Sequence, residues 1–207
     1  MTKKNRIRRP ARGEPVLDPK PTILVLSEGL VTEPEYLDGF SQFAKNARVN
    51  VEVVGGAGVP KTIVESAKAR KKENFKRAWR ERDDNLLYDQ VWCVFDIDEH
   101  LNVPEAMLFA RDSGIKVAIS NPCIELWLWL HFAEQPGSRH RHDLQKMMEK
   151  HIAGYDKHVK FSDLERGYFD AVRRAVRLDD EAQLDKDEGR NPSTGFWQLT
   201  ESIRKSV

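Results

Sequence analysis

Three carboxylates lie at the ends of short apolar runs in this sequence. Glu28 follows the run in TILVLSEG, and Asp96 and Asp98 end the run VWCVFDID. Apolar runs of this length, separated by segments of helical periodicity, are typical of buried parallel strands. Functional groups of an open parallel sheet collect at the carboxyl ends of its strands. We therefore expect Glu28, Asp96 and Asp98 to meet at one edge of a sheet.

Carboxylates in this arrangement suit a hard divalent cation. Asp96 and Asp98 point the same way if the extended backbone continues through both of them. Mg²⁺ prefers oxygen ligands and is often held by one or two carboxylates, several waters and a substrate phosphate. Without a cation, clustered acids would repel one another and their pKa values would rise. The pattern predicts a Mg²⁺ site, with Mn²⁺ as an alternative; otherwise Asp96 and Asp98 only begin a loop and cap the next helix.

Two further polar residues follow the next apolar run, in ISNPCIELW. Asn121 is predicted to cap a helix whose first position is Pro122, and it either has only that role or contributes to the site. Glu125 lies in an otherwise strongly apolar helix, where a charge has to be solvated or paired. Glu125 therefore either joins the acidic site or pairs with an arginine.

These residues need a framework of alternating strands and helices. Apolar runs predict strands at residues 22–27, 49–55, 88–98 and 115–120, with helical patterns between them. The alternation predicts an α/β fold: a mostly parallel sheet of about four strands with helices on both faces.

The chain is expected to divide into three parts. Residues 1–20 are rich in Arg and Pro and predict a disordered basic arm. Residues 21–136 hold the alternating elements and predict the α/β core. Residues 137–207 show only helical patterns and predict a helical extension packed on that core, its last helix opened by Ser193 or Thr194 in NPSTG.

The net charge of +1 conceals an uneven distribution of charge. Lys and Arg are concentrated in residues 1–20 and 61–82, whereas acidic residues are concentrated in residues 179–188. Basic segments attract phosphate backbones irrespective of sequence, although such a run is otherwise only a solvated helix face. The predicted nucleic-acid contacts on the second segment are Lys68, Arg70, Lys71, Lys72, Lys76 and Arg77.

Other features exclude several classes of protein. No window approaches the ~20 apolar residues of a membrane span, and the basic N-terminal segment lacks the apolar stretch of a secretory signal. The two cysteines, Cys93 and Cys123, lie within apolar runs, which favours a reduced, cytoplasmic setting. The GGAG stretch lacks the Lys-Ser/Thr of a P-loop, so nucleotide hydrolysis is not expected.

Taken together, the motifs resemble known families. An apolar strand ending in Glu-Gly, followed roughly 65 residues later by one ending in Asp-x-Asp, resembles the Toprim pattern of primases, topoisomerases and overcoming-lysogenization-defect nucleases. LSEGLVTEPEYLDGF, VWCVFDIDEH, ISNPCIELWLWLHF and NPSTGFWQL resemble the RloB family over residues 21–205. RloB-like proteins lie near restriction–modification and phage-defence loci, often beside an AAA-type ATPase, and are similar to abortive-infection proteins.

The resemblance implies a Toprim-like, Mg²⁺-dependent nuclease. Glu28 would be the general acid/base or a ligand of the metal-bound water, and Asp96 and Asp98 would hold the metal. Many Toprim proteins have Gly soon after Asp-x-Asp, whereas here Glu99 follows, so Glu99 either joins or replaces Asp98 as a ligand. The NPSTG segment recurs in the family, which makes Asn191 a further candidate at the site.

Cleavage of a phosphodiester also requires neutralisation of developing negative charge. Lys61, next to the glycine turn, is the candidate for that role; otherwise it is an ordinary lysine of a first helical turn. The expected partners are DNA or RNA, an AAA-type ATPase and a second copy of the chain, with no membrane. The alternative function is a catalytically silent module that docks on nucleic acid or on a partner of a defence complex.

Overall fold

The computed structural model describes residues 20–53, 60–97 and 103–205. The strands are β1 (Thr22–Ser27), β2 (Arg48–Val53), β3 (Gln90–Asp96), β4 (Lys116–Asn121) and β5 (Ser193–Thr194). The helices are α1 (Thr32–Ala44), α2 (Pro60–Glu81), α3 (Val103–Asp112), α4 (Glu125–Leu130), α5 (Arg141–Met148), α6 (Phe161–Leu164), α7 (Tyr168–Leu184) and α8 (Phe196–Lys205). Short 3₁₀ turns span Asp84–Leu86 and Glu165–Gly167.

The five strands form one sheet in the order β2-β1-β3-β4-β5. β1 is parallel to β2 and to β3, and β3 is parallel to β4. The chain moves from β1 outward to β2 and then returns past β1 to β3, so the strand order reverses between β1 and β3. Such a switch point opens a crevice at the carboxyl ends of the two strands.

The sheet buries both of its faces, as parallel strands between helices require. Ile23 and Val25 of β1 pack on one face, with α1, α4, α7 and α8. Leu24 and Leu26 point to the other face, against α2 and α3. Side chains of β3 alternate in the same way, so Asp96 has the same parity as Trp92 and Val94, which belong to the α1 face.

The expected α/β class with a mostly parallel sheet and helices on both faces is confirmed. The fifth strand was not expected. Ser193 and Thr194, predicted to open the last helix, instead form β5, which pairs antiparallel with the end of β4. The hydroxyls of Ser120 and Thr194 hydrogen-bond at 2.9 Å in the buried interior, which helps to hold β5 there.

The helix cap predicted at Asn121 is wrong, and the start of α1 also lacks a local side-chain cap. Asn121 is the last residue of β4, and α4 begins only at Glu125, so Asn121 caps no helix and Pro122 is not a first helical position. Thr32 is the first residue of α1, and its hydroxyl donates to the backbone oxygen of Lys157 at 2.8 Å. Both side chains bond to distant parts of the chain because tertiary contacts have replaced the local bonds that capping rules assume.

The predicted arm lies almost wholly outside the described residues, as does the GGAG stretch. Within the described ranges, none of the helices has the length and apolar character needed to span a membrane.

Candidate functional site

A cavity of about 420 Å³ opens where the carboxyl ends of β1 and β3 meet the start of α1. Its described lining contains four carboxylates: Glu28, Glu33, Asp96 and Glu125. Glu28 follows β1, Glu33 lies in the first turn of α1, Asp96 ends β3 and Glu125 begins α4. The crevice at the switch point is therefore lined by acids from four different elements.

The chain around Glu28 is held by the sheet. The Glu28 amide donates to the backbone oxygen of Val94 at 3.1 Å, which extends the β1–β3 pairing by one residue. The Ser27 hydroxyl donates to the Gly29 oxygen at 3.0 Å. A Cβ at Gly29 would lie 1.9 Å from Oε2 of Glu33, so the glycine provides the space in which the Glu33 carboxylate lies.

Glu33 is an acid of the cavity that is almost fully enclosed. Its side chain is only 4% exposed. The pKa of Glu33 is raised to about 7, first by burial and then by the negative charges of Glu125 and Glu28, while a backbone N–H and Lys157 oppose the rise. Near neutral pH this carboxyl group is therefore close to half protonated, the condition in which a group best exchanges protons.

Asp96 lies beside Glu33 in the same electrostatic environment. Its pKa is raised well above the usual value, first by desolvation and then by the charges of Glu33, Glu125 and Glu28; Arg141 opposes the rise. The mutual repulsion shows that these acids are close enough to influence each other's protonation. A divalent cation would relieve that repulsion.

The sequence left open whether Glu125 joins the acidic site or pairs with an arginine, and the structure decides between the two. The side chain is 2% exposed, lines the acidic cavity and accepts a hydrogen bond from the Tyr155 hydroxyl at 3.2 Å. That bond connects α4 to the segment that follows α5. Glu125 thus joins the acidic group, and the partner shown by the structure is a tyrosine.

The C-terminal part of the chain closes the cavity with cations. Arg141 and Gln145 of α5, together with Lys157, complete the described lining. The Thr32 hydroxyl bonds the backbone of Lys157, so the segment carrying Lys157 is tied to the start of α1. The cavity is therefore acidic on the sheet side and basic on the C-terminal side, which suits a ligand combining metal and phosphate.

Asn121 and Asn191 have structural contacts around the site. The Asn121 amide donates to the Gly189 oxygen at 2.8 Å. The Asn191 side chain donates to the oxygen of Arg139 at 2.8 Å and accepts from its N–H at 3.3 Å. Asn191 thereby fixes the residue two positions before Arg141, and neither asparagine is part of the described cavity lining.

Lys61 does not reach the cavity in the described structure. Its ammonium group lies 2.7 Å from Oε1 of Glu105 on α3, and this pairing raises the pKa of Lys61. Lys61 is therefore not part of the described cavity lining, and its expected role in neutralising charge at the acidic site stays a prediction. Arg141 and Lys157 are the cations in the described lining of the cavity.

The carboxylates of the cavity match the ligand type of the implied Mg²⁺. All four acids supply the oxygen ligands that Mg²⁺ prefers, and one or two carboxylates suffice when water and phosphate complete the shell. As positioned, no three acidic, histidine or cysteine side chains within residues 20–53, 60–97 and 103–205 are arranged to hold one ion. Asp98 and Glu99 lie outside the described residues. The carboxylate oxygens are the donor type that Mg²⁺ prefers. Asp96 and Glu28 are the candidate ligands among the described residues.

On the basic helix α2, the predicted nucleic-acid contacts have different surroundings. Lys71 donates to the backbone oxygens of Ser113 at 3.1 Å and Gly114 at 2.9 Å, so it ties α2 to the end of α3. These contacts favour a structural role for Lys71, and its expected role in nucleic-acid binding stays a prediction. The remaining predicted contacts are exposed: Lys68, Arg70, Lys72, Lys76 and Arg77.

Sequence reasoning missed Glu33, Arg141, Lys157 and Tyr155. Glu33 had a usable indication, because it follows the Glu-Gly pair within the first turn of the next helix, where a parallel sheet places its functional groups. The other three come from the C-terminal part of the chain, and only the tertiary fold brings them over the cavity. His131, which lies outside the cavity lining, is buried and hydrogen-bonds the Tyr36 hydroxyl and the Trp127 oxygen.

Comparison with known proteins identifies the family. No curated protein and no solved structure matches this chain. The family model described as RloB-like protein matches residues 23–203, which include all four carboxylates of the cavity and the cations opposite them. The match covers most of the chain, and the protein therefore belongs to the RloB-like family.

Proposed function

We propose that this protein is a Mg²⁺-dependent, Toprim-like nuclease that hydrolyses phosphodiester bonds of nucleic acid. The observation that carries the proposal is the meeting of Glu28, Asp96, Glu33 and Glu125 at the switch point between β1 and β3. Membership of the RloB-like family supports it. A purely structural role gives no account of acids whose burial and mutual repulsion raise the pKa values of Glu33 and Asp96.

The role proposed for each residue follows from its position in the cavity and from its charge. Asp96 and Glu28 would hold the metal, which supplies charge neutralisation on the phosphoryl oxygens and an acidified water. Glu33, with a pKa of about 7, would take a proton from the attacking water or return one to the leaving oxygen. Arg141 and Lys157, on the opposite wall, would contact the phosphate.

Glu125 and Tyr155 would act as positioning residues. Their 3.2 Å hydrogen bond joins α4 to the segment that carries Lys157. Asn191 would position Arg141 through its two bonds to Arg139. The family match extends to residue 203, so it includes these C-terminal segments as well as the sheet.

The wider role belongs to the same proposal. We infer a cytoplasmic protein of anti-phage defence that acts with an AAA-type ATPase and assembles with further copies of itself. The two cysteines of the described residues are free and buried, which is compatible with a reducing compartment. The proposal leaves DNA and RNA as alternative substrates.

The decisive experiment measures cleavage by the purified chain. Single-stranded RNA, single-stranded DNA and duplex DNA are incubated with Mg²⁺, with Mn²⁺ or with EDTA. We expect cleavage only with metal, and a loss of at least ~100-fold in Glu28→Gln and Asp96→Asn, because each variant removes a proposed metal ligand. Glu65→Gln, an exposed glutamate of α2, is the matched control.

Cleavage that persists in both site variants would reject the assigned site. If the wild type cleaves none of the substrates with either metal, but binds nucleic acid in a salt-sensitive, Mg²⁺-independent manner, the protein is instead a silent binding module.

A further inference from the structure

Helix α2 carries an exposed stripe that combines aromatic and basic side chains. The stripe consists of Lys68, Lys72, Phe75, Lys76 and Trp79. At 100° per residue, these five positions fall within about 100° of arc on one flank of the helix. Phe75 and Trp79 are four residues apart, so their rings lie on adjacent turns, about 6 Å apart along the axis. We call this set the aromatic–basic stripe.

The aromatic residues of the stripe are not part of the core. Phe75 is 62% exposed and Trp79 is 79% exposed. The buried side of α2 is formed by smaller residues, mainly Ile63, Val64 and Ala67. Exposing a tryptophan and a phenylalanine next to each other gives no stability to the folded chain, because large apolar side chains stabilise it only when buried. Clustered exposed aromatics mark an interaction surface.

The charges of α2 are distributed unequally around the helix. Arg70 and Arg77 pair with Glu73 and Glu81, at 3.7 Å and 3.1 Å, on the flank away from the stripe. Lys68 lies over the ring of Phe109, 4.6 Å from its centroid. Among the residues that the structure describes, no carboxylate forms an ion pair with Lys72 or Lys76. The stripe therefore presents unneutralised positive charge directly beside the two rings.

This combination favours single-stranded nucleic acid over other partners. Unpaired bases stack on aromatic side chains, while lysines follow the phosphates, and both contributions are largely independent of sequence. A duplex keeps its base faces covered by neighbouring base pairs and uses only the lysines. An apolar protein partner would use the rings but would leave Lys72 and Lys76 facing its surface without a counter-charge.

We propose that the aromatic–basic stripe of α2 binds unpaired nucleotides, with bases stacked on Phe75 and Trp79 and phosphates held by Lys72 and Lys76. The inference rests on the proposed function, because it names the substrate class of the acidic cavity as single-stranded or containing an unpaired segment. It adds two binding residues, Phe75 and Trp79, that the basic pattern of the helix does not indicate.

The position of the stripe determines how far a bound strand must extend to enter the acidic cavity. α2 returns from the carboxyl edge of the sheet to the start of β3, so it runs away from the acidic cavity. Trp79 lies 19 positions after Pro60, which is about 28 Å along the helix axis. The stripe is therefore a separate anchoring surface, and a strand bound there must extend over the molecule to reach the cavity.

The test measures, by fluorescence anisotropy, how tightly labelled oligouridylate and oligothymidylate bind to the full chain in EDTA. EDTA removes metal-dependent cleavage, so binding is measured independently of the proposed reaction. We expect Phe75→Ala and Trp79→Ala each to weaken binding at least about fivefold, the lower end of the loss of a stacked base. Trp79→Phe retains a ring and is expected to bind within about twofold of the wild type.

Leu184→Ala on α7 is the matched control, since Leu184 is 84% exposed and lies outside α2. Duplex of the same length should respond to Lys72→Gln but change little with Trp79→Ala. Unchanged single-strand affinity in both alanine variants overturns the inference, and so does an equal loss for duplex. A change of oligomeric state in Trp79→Ala with unaltered oligonucleotide binding also overturns it, because the stripe is then a contact between copies.

The inference and the proposed function can fail separately. Stripe-dependent binding without any metal-dependent cleavage supports the inference and rejects the nuclease. Cleavage that depends on Glu28 and Asp96 but is indifferent to both aromatic residues, together with unchanged binding, supports the nuclease and rejects the inference.

Discussion

The carboxylate of Glu33 occupies the space where a side chain at Gly29 would begin. The ideal Cβ position at Gly29 lies 1.9 Å from Oε2 and 2.4 Å from Oε1 of Glu33. The Glu-Gly pair after β1 therefore has two functions. It places Glu28 at the cavity, and it gives the first turn of α1 the space to bring a second carboxylate beside the first.

The first prediction concerns Gly29→Ala. The added methyl group must displace the Glu33 carboxylate, which is the movable end of a flexible side chain, so the free energy of unfolding should fall by no more than about 1 kcal/mol. Cleavage should fall by about tenfold or more, because a proton-transfer group has been moved from its position. Thermal unfolding and cleavage rates on the same preparations provide the measurement.

A double-mutant cycle isolates this relationship. In a Glu33→Ala background there is no carboxylate to displace, so adding Gly29→Ala should have almost no further effect on cleavage. If Gly29→Ala is equally harmful in both backgrounds, the glycine acts through the backbone and the contact with Glu33 has no part in its effect.

The second prediction uses the protonation of Glu33. Its pKa is raised from 4.5 to about 7, so between these values the folded state holds a proton that the unfolded state has lost. The stabilising contribution is present at low pH and is lost as the pH rises through 7. Glu33→Gln should match the wild type near pH 4.5 and exceed its free energy of unfolding by on the order of 3 kcal/mol at pH 8.

Denaturant unfolding in EDTA across this pH range measures the difference between the two proteins. The wild-type profile alone is not diagnostic, because burial lowers the pKa of His131 to about 4 and gives the opposite trend. That contribution weakens the fold as the pH falls from 6.5 towards 4, and it cancels when the variant is subtracted. A difference that stays constant from pH 4.5 to pH 8 would contradict the raised pKa of Glu33.

The sequence predicted the sheet and part of its acidic edge. Glu28 and Asp96 were found because a strand end is visible as the end of an apolar run, and parallel strands place such ends together. Their convergence on one cavity needed no information about side-chain packing. Asn121 shows the limit of local reasoning, since the residue types that favour a helix cap also terminate strands.

The remaining half of the site depends on long-range contacts. Arg141 and Lys157 reach the cavity because β5 pairs with β4, Asn191 holds Arg139, and Thr32 bonds the Lys157 backbone. Each of these contacts joins residues far apart in sequence, and a two-residue strand such as β5 has no hydrophobic period to reveal it. The ion pair of Lys61 could not be predicted for the same reason, because its partner Glu105 is 44 residues away.

The third prediction concerns metal binding. Mg²⁺ or Mn²⁺ should raise the melting temperature of the wild type at pH 8, by an amount corresponding to about 3 kcal/mol at a concentration near 100 times the dissociation constant. The effect should weaken as the pH falls, because the carboxylates must release protons to bind a cation. Differential scanning fluorimetry with and without EDTA follows both trends.

Asp96→Asn and Glu28→Gln should each remove most of this metal-induced shift. Every variant is compared with its own metal-free form, since removing a repelling charge also changes stability without metal. Glu65→Gln should retain the full shift. A full shift in Asp96→Asn would place the cation elsewhere on the protein.

The fourth prediction separates two neighbouring lysines of α2. Lys71 donates to the oxygens of Ser113 and Gly114 at the end of α3, whereas Lys72 projects into solvent within the aromatic–basic stripe. Lys71→Ala should lower the free energy of unfolding by about 1–2 kcal/mol, because two hydrogen bonds from a charged group are lost. Lys72→Ala should leave stability within about 0.5 kcal/mol of the wild type.

Nucleic-acid affinity should show the reverse order. Lys72→Ala should weaken binding and reduce the dependence of affinity on salt, since one fewer phosphate contact releases one fewer counterion. Lys71→Ala should leave the salt dependence unchanged, provided that binding is measured well below its melting temperature. Urea unfolding tests the predicted stabilities, and salt titrations of oligonucleotide binding test the predicted affinities. Equal losses of affinity in the two variants would mean that α2 acts through its total charge, without regard to which flank carries it.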